Sequence, residues 1–302
     1  MPKTRIVIIG AGVMGQGLAE AVSTAGHEVT LIDRTSKIAE KGIKTIGESL
    51  NREINRWGLT AADKKAILAR IHPSSDLSDA EEAEIILEAV PEDIAKKRAL
   101  FEKLDQVCAA DAMFITNTST LSISEIAALT QRPERVIGMH FLNPVTKIPV
   151  VEIVKGLKTD PQTFQNAVAF AELLEKKWIT VIEYPGYVTT RIIVPLLNEA
   201  MHVLMEGVAT AEDIDDAMKL GFGFNVGPLA LADQMGLDVV MSWMMNLLGE
   251  LSDHKYNPCP QLRKLVRAGH LGVKTGKGFF EYDKEGNRIV NRQRPTTAEV
   301  HK

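Results

Sequence analysis

Short apolar runs alternate with longer segments of helical periodicity in the N-terminal half of the chain. The runs are continuous and rich in β-branched residues, which is typical of strands that are buried on both faces. We predict strands at 5–9, 28–32, 84–88, 112–116, 135–139 and 149–154, with helices such as 13–25 and 97–109 between them. Because a parallel connection needs a long crossover, the pattern predicts an α/β domain with a doubly wound, mostly parallel sheet.

One segment breaks this alternation. Residues 36–71 follow the second strand, and their spacing predicts a helix pair. The second of these helices begins at Thr60, with Asp63 three residues later, in the manner of a capping box. Because an appendage of this length is unusual at this point, we expect it to contribute to function.

The pattern changes again after about residue 184, where helical periodicity replaces the alternation. We predict a domain at 1–184 and an all-α domain at 185–302. The first long apolar helix of the second domain spans 188–207, and Pro195 inside it predicts a kink. Further helices are predicted at 210–220, from Pro228 onward and at 237–248.

Composition narrows the possible classes of protein. The chain has 302 residues, of which 45% are apolar, and 35 basic against 39 acidic residues give a net charge of -4. That balance argues against a nucleic-acid-binding protein, which usually carries a clear basic excess. No apolar run reaches the roughly 18 to 20 residues of a membrane span, and the run at 6–9 is too short for a signal-peptide core.

The two cysteines, Cys108 and Cys259, lie far apart and in no metal-ligand spacing. We therefore expect reduced thiols, no metal and a cytoplasmic protein.

A glycine-rich turn follows the first predicted strand and opens the first helix. Gly10, Gly12 and Gly15 form a GxGxxG pattern, which is weak alone but is here in the strand–turn–helix context that dinucleotide binding requires. Asp33 ends the second strand, where a carboxylate accepts hydrogen bonds from a ribose and repels a 2′-phosphate. The pattern favours NAD over NADP, although the neighbouring Arg34 argues the other way.

Two further strand ends carry polar side chains. Ser119 follows the strand at 112–116, and its hydroxyl is a candidate hydrogen-bond partner for a substrate oxygen, while Ser122 and Glu125 fit a capping box for the next helix. His140 follows the strand at 135–139, and Glu152 lies inside the apolar run at 149–154.

A buried carboxylate needs a partner, so we expect Glu152 to pair with His140 if their strands are neighbours. Such a pair fixes the imidazole tautomer and suits a general base near neutral pH, although a structural histidine and a structural glutamate are an alternative interpretation.

Eight motifs together resemble the L-3-hydroxyacyl-CoA dehydrogenase family, including its bacterial 3-hydroxybutyryl-CoA dehydrogenases. They occur in family order and cover the chain to about Tyr282: GAGVMG (10–15), EAVPE (88–92), NTSTL (117–121), GMHFLNP (138–144), VEIV (151–154), YPGY (184–187), GPLALAD (227–233) and KTGKGF (274–279). The resemblance implies a Rossmann-type NAD-binding domain, a helical dimerisation domain, an acyl-CoA substrate and a homodimer.

The resemblance also implies roles for individual residues. His140 is then the general base, Glu152 orients it, and Ser119 donates a hydrogen bond to the reacting oxygen. Ser49 and Arg56 match positions that contact CoA. The positions that match NAD contacts are Gly10, Gly12, Val13, Met14, Gly15, Asp33, Glu92, Lys97, Ser119, Asn143 and Lys274.

One departure from the family pattern concerns a residue that positions the substrate. The family motif Pro-Gly-Phe-Val-x-Asn-Arg, whose Asn positions the substrate, reads PGYVTTR here, so Thr190 replaces the Asn. A threonine hydroxyl is shorter and lacks the amide fork, which predicts a changed substrate preference or rate. Two alternatives stay open: a dehydrogenase of the same fold for a hydroxy acid without CoA, and a non-catalytic NAD-binding relative. Against the first, related enzymes for short hydroxy acids use a lysine that this stretch lacks.

Overall fold

The computed structural model describes residues 4–55 and 58–289. They divide into two compact units, the first of which ends at Val188. The first unit contains, in chain order, β1 (Ile6–Ile9), α1 (Val13–Thr24), β2 (Val29–Ile32), α2 (Ser36–Asn55), α3 (Ala61–Ala69), β3 (Ile71–Ser74), β4 (Ile85–Glu88), α4 (Ile94–Val107), β5 (Met113–Thr116), α5 (Ile123–Ala127), β6 (Val136–Phe141), β7 (Val150–Lys155), α6 (Pro161–Leu173) and β8 (Lys177–Ile182).

The eight strands form one sheet in the order β3-β2-β1-β4-β5-β6-β7-β8. Strands β1 to β6 run parallel, β7 runs antiparallel to β6, and β8 runs parallel to β7. Alternate residues of β1 belong to different cores, because Ile6 and Ile8 pack with residues of α1, α2 and α6, whereas Val7 and Ile9 pack with residues of α4 and α5. The predicted doubly wound, mostly parallel sheet is therefore confirmed.

Strands β3 and β8 are not predicted from the sequence, and both lie at the edges of the sheet. Their residues are largely polar or exposed, and β3 contains Pro73, which only an edge position tolerates well. A second difference concerns β6, which continues through Phe141. His140 therefore lies inside this strand, and its predicted position after the strand is wrong.

The predicted helix pair is present as α2 and α3. The Thr60 hydroxyl accepts a hydrogen bond from the Asp63 N–H, and the Asp63 carboxylate accepts one from the Thr60 N–H, which completes the predicted capping box. The strand β3 follows directly, so the pair forms part of the crossover from β2 to β3.

The second unit is helical, as predicted, and its described residues contain α7 (Thr189–Met205), α8 (Ala211–Phe222), α9 (Pro228–Met235), α10 (Leu237–Leu251) and α11 (Pro260–Arg267). Helix α7 continues through Pro195. Leu197, Met201 and Met244 are fully buried in a core that these helices share. Within the described residues, every helix is too short or too polar to cross a membrane.

Candidate active site

The glycine-rich turn between β1 and α1 requires glycine at two positions for packing. A Cβ on Gly10, whose φ is +105°, would lie 2.6 Å from the Ala89 carbonyl oxygen, and a Cβ on Gly15 would lie 1.7 Å from the Gly10 oxygen. A Cβ on Gly12 would instead have nothing within 4 Å. Helix α1 starts at this open side without a side-chain cap, so its first N–H groups and its dipole suit a diphosphate.

Asp33 lies at the carboxyl end of β2, beside the same turn. Its Oδ2 accepts a hydrogen bond from the Ala11 N–H at 2.7 Å, and its Oδ1 accepts one from the Arg34 N–H at 2.7 Å. A largely buried carboxylate at this place suits the two hydroxyls of an unphosphorylated ribose. The Arg34 side chain is 90% exposed, with its Nε 3.9 Å from Oδ1. The turn and Asp33 together fit NAD.

His140 and Glu152 lie directly opposite each other on β6 and β7. Opposite residues of an antiparallel pair share one face of the sheet, and here Nδ1 of His140 lies 2.6 Å from Oε2 of Glu152. Both side chains are buried, and Oε1 of Glu152 accepts a hydrogen bond from the Val188 N–H at 3.0 Å. Because an ionised carboxylate can only accept, this contact favours the tautomer in which Nδ1 carries the hydrogen and Nε2 presents its lone pair.

The hydroxyl of Ser119 completes this group, because its Oγ lies 3.0 Å from Nε2 of His140. The structure thus brings together the three residues predicted to be catalytic. Ser119 follows β5, which is separated from β1 and its glycine turn only by β4. Two strand spacings amount to about 10 Å, so Ser119 and the glycine turn border the same crevice at the carboxyl ends of the strands.

A single carboxylate oxygen holds the turn that carries Ser119. Oε1 of Glu92 accepts hydrogen bonds from the Ser119 and Thr120 N–H groups, each at 2.8 Å. It also accepts hydrogen bonds from the hydroxyls of Thr118, at 2.6 Å, and Thr120, at 3.1 Å. Glu92 therefore fixes the backbone of this turn, and its predicted contact with NAD stays a prediction.

Lys97 is completely buried beneath the turn. Its ammonium donates to both carboxylate oxygens of Glu88, at 2.7 and 2.6 Å, and lies 3.7 Å from Oε2 of Glu92. The Thr116 hydroxyl also donates to Glu88, at 2.6 Å. We name Glu88, Lys97 and Glu92 the lysine cluster. The predicted contact of Lys97 with NAD stays a prediction.

The two carboxylates of the lysine cluster differ in pKa because they differ in their donors. Burial would raise the pKa of Glu92, but the Lys97 ammonium and the hydrogen bonds from Thr118, Ser119 and Thr120 outweigh it, so the pKa is lowered. Burial raises the pKa of Glu88 despite the opposing charge of Lys97. Glu92 is therefore the more firmly ionised of the two.

The other predicted positions take different environments. Val13 is 67% exposed at the start of α1, where Met14 follows it, and Asn143 is exposed just after β6. Ser49 is half-buried on α2, whereas Arg56 lies outside the described residues.

Two predicted positions belong to the second unit. Lys274 Nζ lies 2.5 Å from Oδ1 of Asp238. Thr190 is buried at the start of α7, and its hydroxyl has no hydrogen-bond partner among the described residues. Within those residues, no group of three or more His, Cys, Asp or Glu side chains could hold a metal ion.

Sequence reasoning missed three residues that support the site. Glu88 ends an apolar strand. A buried carboxylate at that place needs a partner for the same reason as Glu152 does. Asn117 accepts a hydrogen bond from the Phe141 N–H at 3.0 Å and thereby ties β6 to the turn after β5. Tyr187 packs against His140, with 5.7 Å between ring centroids. No local signal identifies Asn117 or Tyr187, because each contact depends on the tertiary fold.

Comparison with known proteins agrees with this geometry. The family model described as 3-hydroxyacyl-CoA dehydrogenase, NAD binding domain, matches residues 5–184, and the model of the C-terminal domain of 3-hydroxyacyl-CoA dehydrogenase matches 186–282. A probable 3-hydroxybutyryl-CoA dehydrogenase of Bacillus subtilis is 43% identical over 93% of this chain and 98% of its own length. The human mitochondrial hydroxyacyl-coenzyme A dehydrogenase is 37% identical, over 92% of this chain and 90% of its own.

Solved structures show the same relationship. The crystal structure of (S)-3-hydroxybutyryl-CoA dehydrogenase from Ralstonia eutropha is 41% identical and superposes with a TM-score of 0.84. The match covers 93% of this chain and all of the other chain. The chain therefore belongs to the 3-hydroxyacyl-CoA dehydrogenase family of NAD-dependent oxidoreductases.

Proposed function

We propose that the chain interconverts L-3-hydroxybutyryl-CoA and the corresponding 3-oxoacyl-CoA. The observation that carries this proposal is the arrangement of Ser119, His140 and Glu152, in which Nε2 of His140 lies 3.0 Å from the Ser119 hydroxyl and Nδ1 lies 2.6 Å from Glu152. The four-carbon substrate is supported by the names of the Bacillus and Ralstonia relatives.

The reaction assigns one task to each of the three side chains. In the oxidative direction, Nε2 of His140 accepts the proton of the substrate 3-hydroxyl. Glu152 keeps the imidazole oriented and stabilises its positive charge, while the Ser119 hydroxyl donates a hydrogen bond to the oxygen as negative charge develops there. NAD, when bound, accepts the hydride from the carbon that bears this hydroxyl. In the reverse direction the imidazolium returns the proton.

The remaining predicted contacts form part of the same proposal. Ser49 and Arg56 contact CoA from the predicted 36–71 segment, and Thr190 contacts the acyl group. The chain works as a cytoplasmic homodimer that associates through the helical domain at 185–302. NAD is held by the backbone of the glycine turn and by the predicted contact residues Val13, Met14, Asp33, Glu92, Lys97, Ser119, Asn143 and Lys274.

A steady-state screen tests the proposed substrate. L-3-Hydroxyacyl-CoA esters of increasing chain length are offered with NAD or NADP, and free 3-hydroxybutyrate is offered in parallel. We expect the highest kcat/KM for the four-carbon ester with NAD. A higher kcat/KM for the free acid would assign the chain to a hydroxy acid without CoA. Binding of NAD without turnover of any ester would identify a non-catalytic NAD-binding protein.

A further inference from the structure

Tyr187 occupies a strained turn at the end of the first unit. Its φ is +49°, directly after Gly186 at +79°, and its N–H donates a hydrogen bond to the Tyr184 carbonyl at 3.0 Å. A left-handed conformation costs a bulky residue about 1 kcal/mol or more, so surrounding contacts must hold it in place. The side chain is almost entirely buried, which provides those contacts.

The turn contacts both parts of the candidate active site. The Tyr187 ring packs against the His140 ring at an interplanar angle of 57°, and the Tyr187 hydroxyl donates to the Leu121 carbonyl at 3.1 Å. The next residue, Val188, donates its N–H to Glu152. Tyr187 and Val188 thus join the turn that carries Ser119 to the histidine–carboxylate pair.

The Ser119 turn is consequently held at two points. Glu92 accepts hydrogen bonds from the N–H groups of Ser119 and Thr120 and from the hydroxyls of Thr118 and Thr120, and the Tyr187 hydroxyl donates to the carbonyl of Leu121 at the end of the same turn. Burial, followed by the nearby carboxylates of Glu92 and Glu183, raises the pKa of Tyr187 well above its usual value. The phenol therefore stays protonated and remains a hydrogen-bond donor.

We propose that Tyr187 is a positioning residue for the dehydrogenase reaction. Its hydroxyl fixes the turn at 118–121, and this keeps the Ser119 hydroxyl within hydrogen-bonding distance of Nε2 of His140. The inference rests on the proposed function. The family motif has phenylalanine at this position, so Tyr187→Phe removes one hydroxyl group and leaves a ring that the fold accommodates.

A double-mutant cycle between Tyr187 and Ser119 tests this role. The parent, Tyr187→Phe, Ser119→Ala and the double variant are compared for kcat and for the KM of NAD with L-3-hydroxybutyryl-CoA. Loss of one hydrogen bond predicts a fall in kcat of about fivefold for Tyr187→Phe, with the KM of NAD unchanged. In the Ser119→Ala background the same substitution should have no further effect, because the group that it positions is gone.

Tyr282→Phe is the matched control, because the Tyr282 hydroxyl also makes a buried hydrogen bond, to Asp233 at 2.9 Å in the second unit. This variant should melt at a lower temperature than the parent and keep the parental kcat.

Three outcomes overturn the inference about Tyr187. They are a parental kcat for Tyr187→Phe, an equal loss in the Ser119→Ala background, and loss of the folded state. The assay of the parent tests the proposed function separately. If the parent does not oxidise L-3-hydroxybutyryl-CoA, the proposed function is wrong, whereas the other three outcomes contradict only the role of Tyr187.

Discussion

The first unit buries two carboxylate sites of different character. At the histidine–carboxylate pair, Glu152 binds an imidazole whose second nitrogen contacts the Ser119 hydroxyl. In the lysine cluster, Glu88 and Glu92 share the ammonium of Lys97 and accept further hydrogen bonds from the surrounding backbone and threonines. Both sites satisfy the requirement that buried charge be paired, but only the first contains an imidazole, the side chain that most often serves as a general base.

The two sites use buried carboxylates for different tasks. One orients the imidazole of the proposed reaction, and the other holds the turn that carries Ser119. The lysine cluster holds the Ser119 turn through the hydrogen bonds that Glu92 accepts and through the Lys97 ammonium that contacts both carboxylates. The histidine–carboxylate pair keeps one nitrogen bound and presents the other toward the reacting position. We therefore expect damage at the histidine–carboxylate pair to lower the rate and damage at the lysine cluster to lower the stability of the fold.

The largest expected effect is on rate, from His140→Gln. Removal of the proposed general base should lower kcat by about 1,000-fold, while NAD binding, followed by fluorescence titration, stays unchanged. His72→Gln is the matched control, because His72 also pairs with a glutamate, Glu28, at 2.9 Å but is exposed. The control should keep the parental rate. Parental kcat in His140→Gln would remove His140 from the mechanism.

A large effect on stability is expected from Lys97→Met. The substitution leaves two buried carboxylates without their ammonium and should lower the free energy of unfolding by about 3 kcal/mol, measured by urea denaturation. Lys96→Met is the matched control on the same helix. Lys96 is exposed and lies 3.3 Å from Asp93, and such a pair contributes less than about 1 kcal/mol. Equal losses in the two variants would contradict the assigned role of the lysine cluster.

The smallest effect concerns Glu20, a buried carboxylate on α1 that lies outside both sites. Burial, with a contribution from Glu53, raises the pKa of Glu20 to about 7 from an ordinary value of 4.5. Because the pKa of Glu20 is higher in the folded state than in the unfolded state, the folded protein holds this proton to a higher pH. The free energy of unfolding therefore falls as the pH rises from about 4.5 through about 7. Glu20→Gln should therefore stabilise the fold above that window, by about 1–2 kcal/mol after solvent screening, and have little effect below it.

Urea denaturation as a function of pH measures this difference for Glu20. Glu40→Gln, at an exposed position of α2, should show no such pH dependence. A stabilisation by Glu20→Gln that is equal on both sides of the window would contradict the raised pKa of Glu20.

The parts of the fold that the sequence predicted are those with strong local patterns. Each of three sequence patterns predicts one local structure that is present. The patterns are the buried β-branched runs, the glycine turn after the first strand and the Thr60–Asp63 cap. The edge strands β3 and β8 carry no such pattern, because exposed residues need not be apolar.

The same distinction applies to the site. The pairing of His140 with Glu152 was predictable, because a carboxylate in an apolar strand needs a partner and a histidine directly followed the preceding predicted strand. The contacts of Tyr187 with His140 and Leu121 could not be predicted, because they join segments about 50 to 65 residues apart whose approach depends on the whole sheet. The buried environment of Lys97 depends on Glu88, whose carboxylate at the end of an apolar strand needs a charged partner.

The proposed mechanism requires Glu152 to hold His140 in the tautomer whose Nε2 accepts the substrate proton. Nitrogen NMR of protein labelled with ¹⁵N-histidine, with His140→Gln to assign the signals, measures this tautomer directly at about pH 8, where an unperturbed imidazole is neutral. We predict a protonated Nδ1 and an unprotonated Nε2 in the parent, and loss of that preference in Glu152→Gln. A parent with hydrogen on Nε2 of His140, or a tautomer unaffected by Glu152→Gln, would contradict this mechanism.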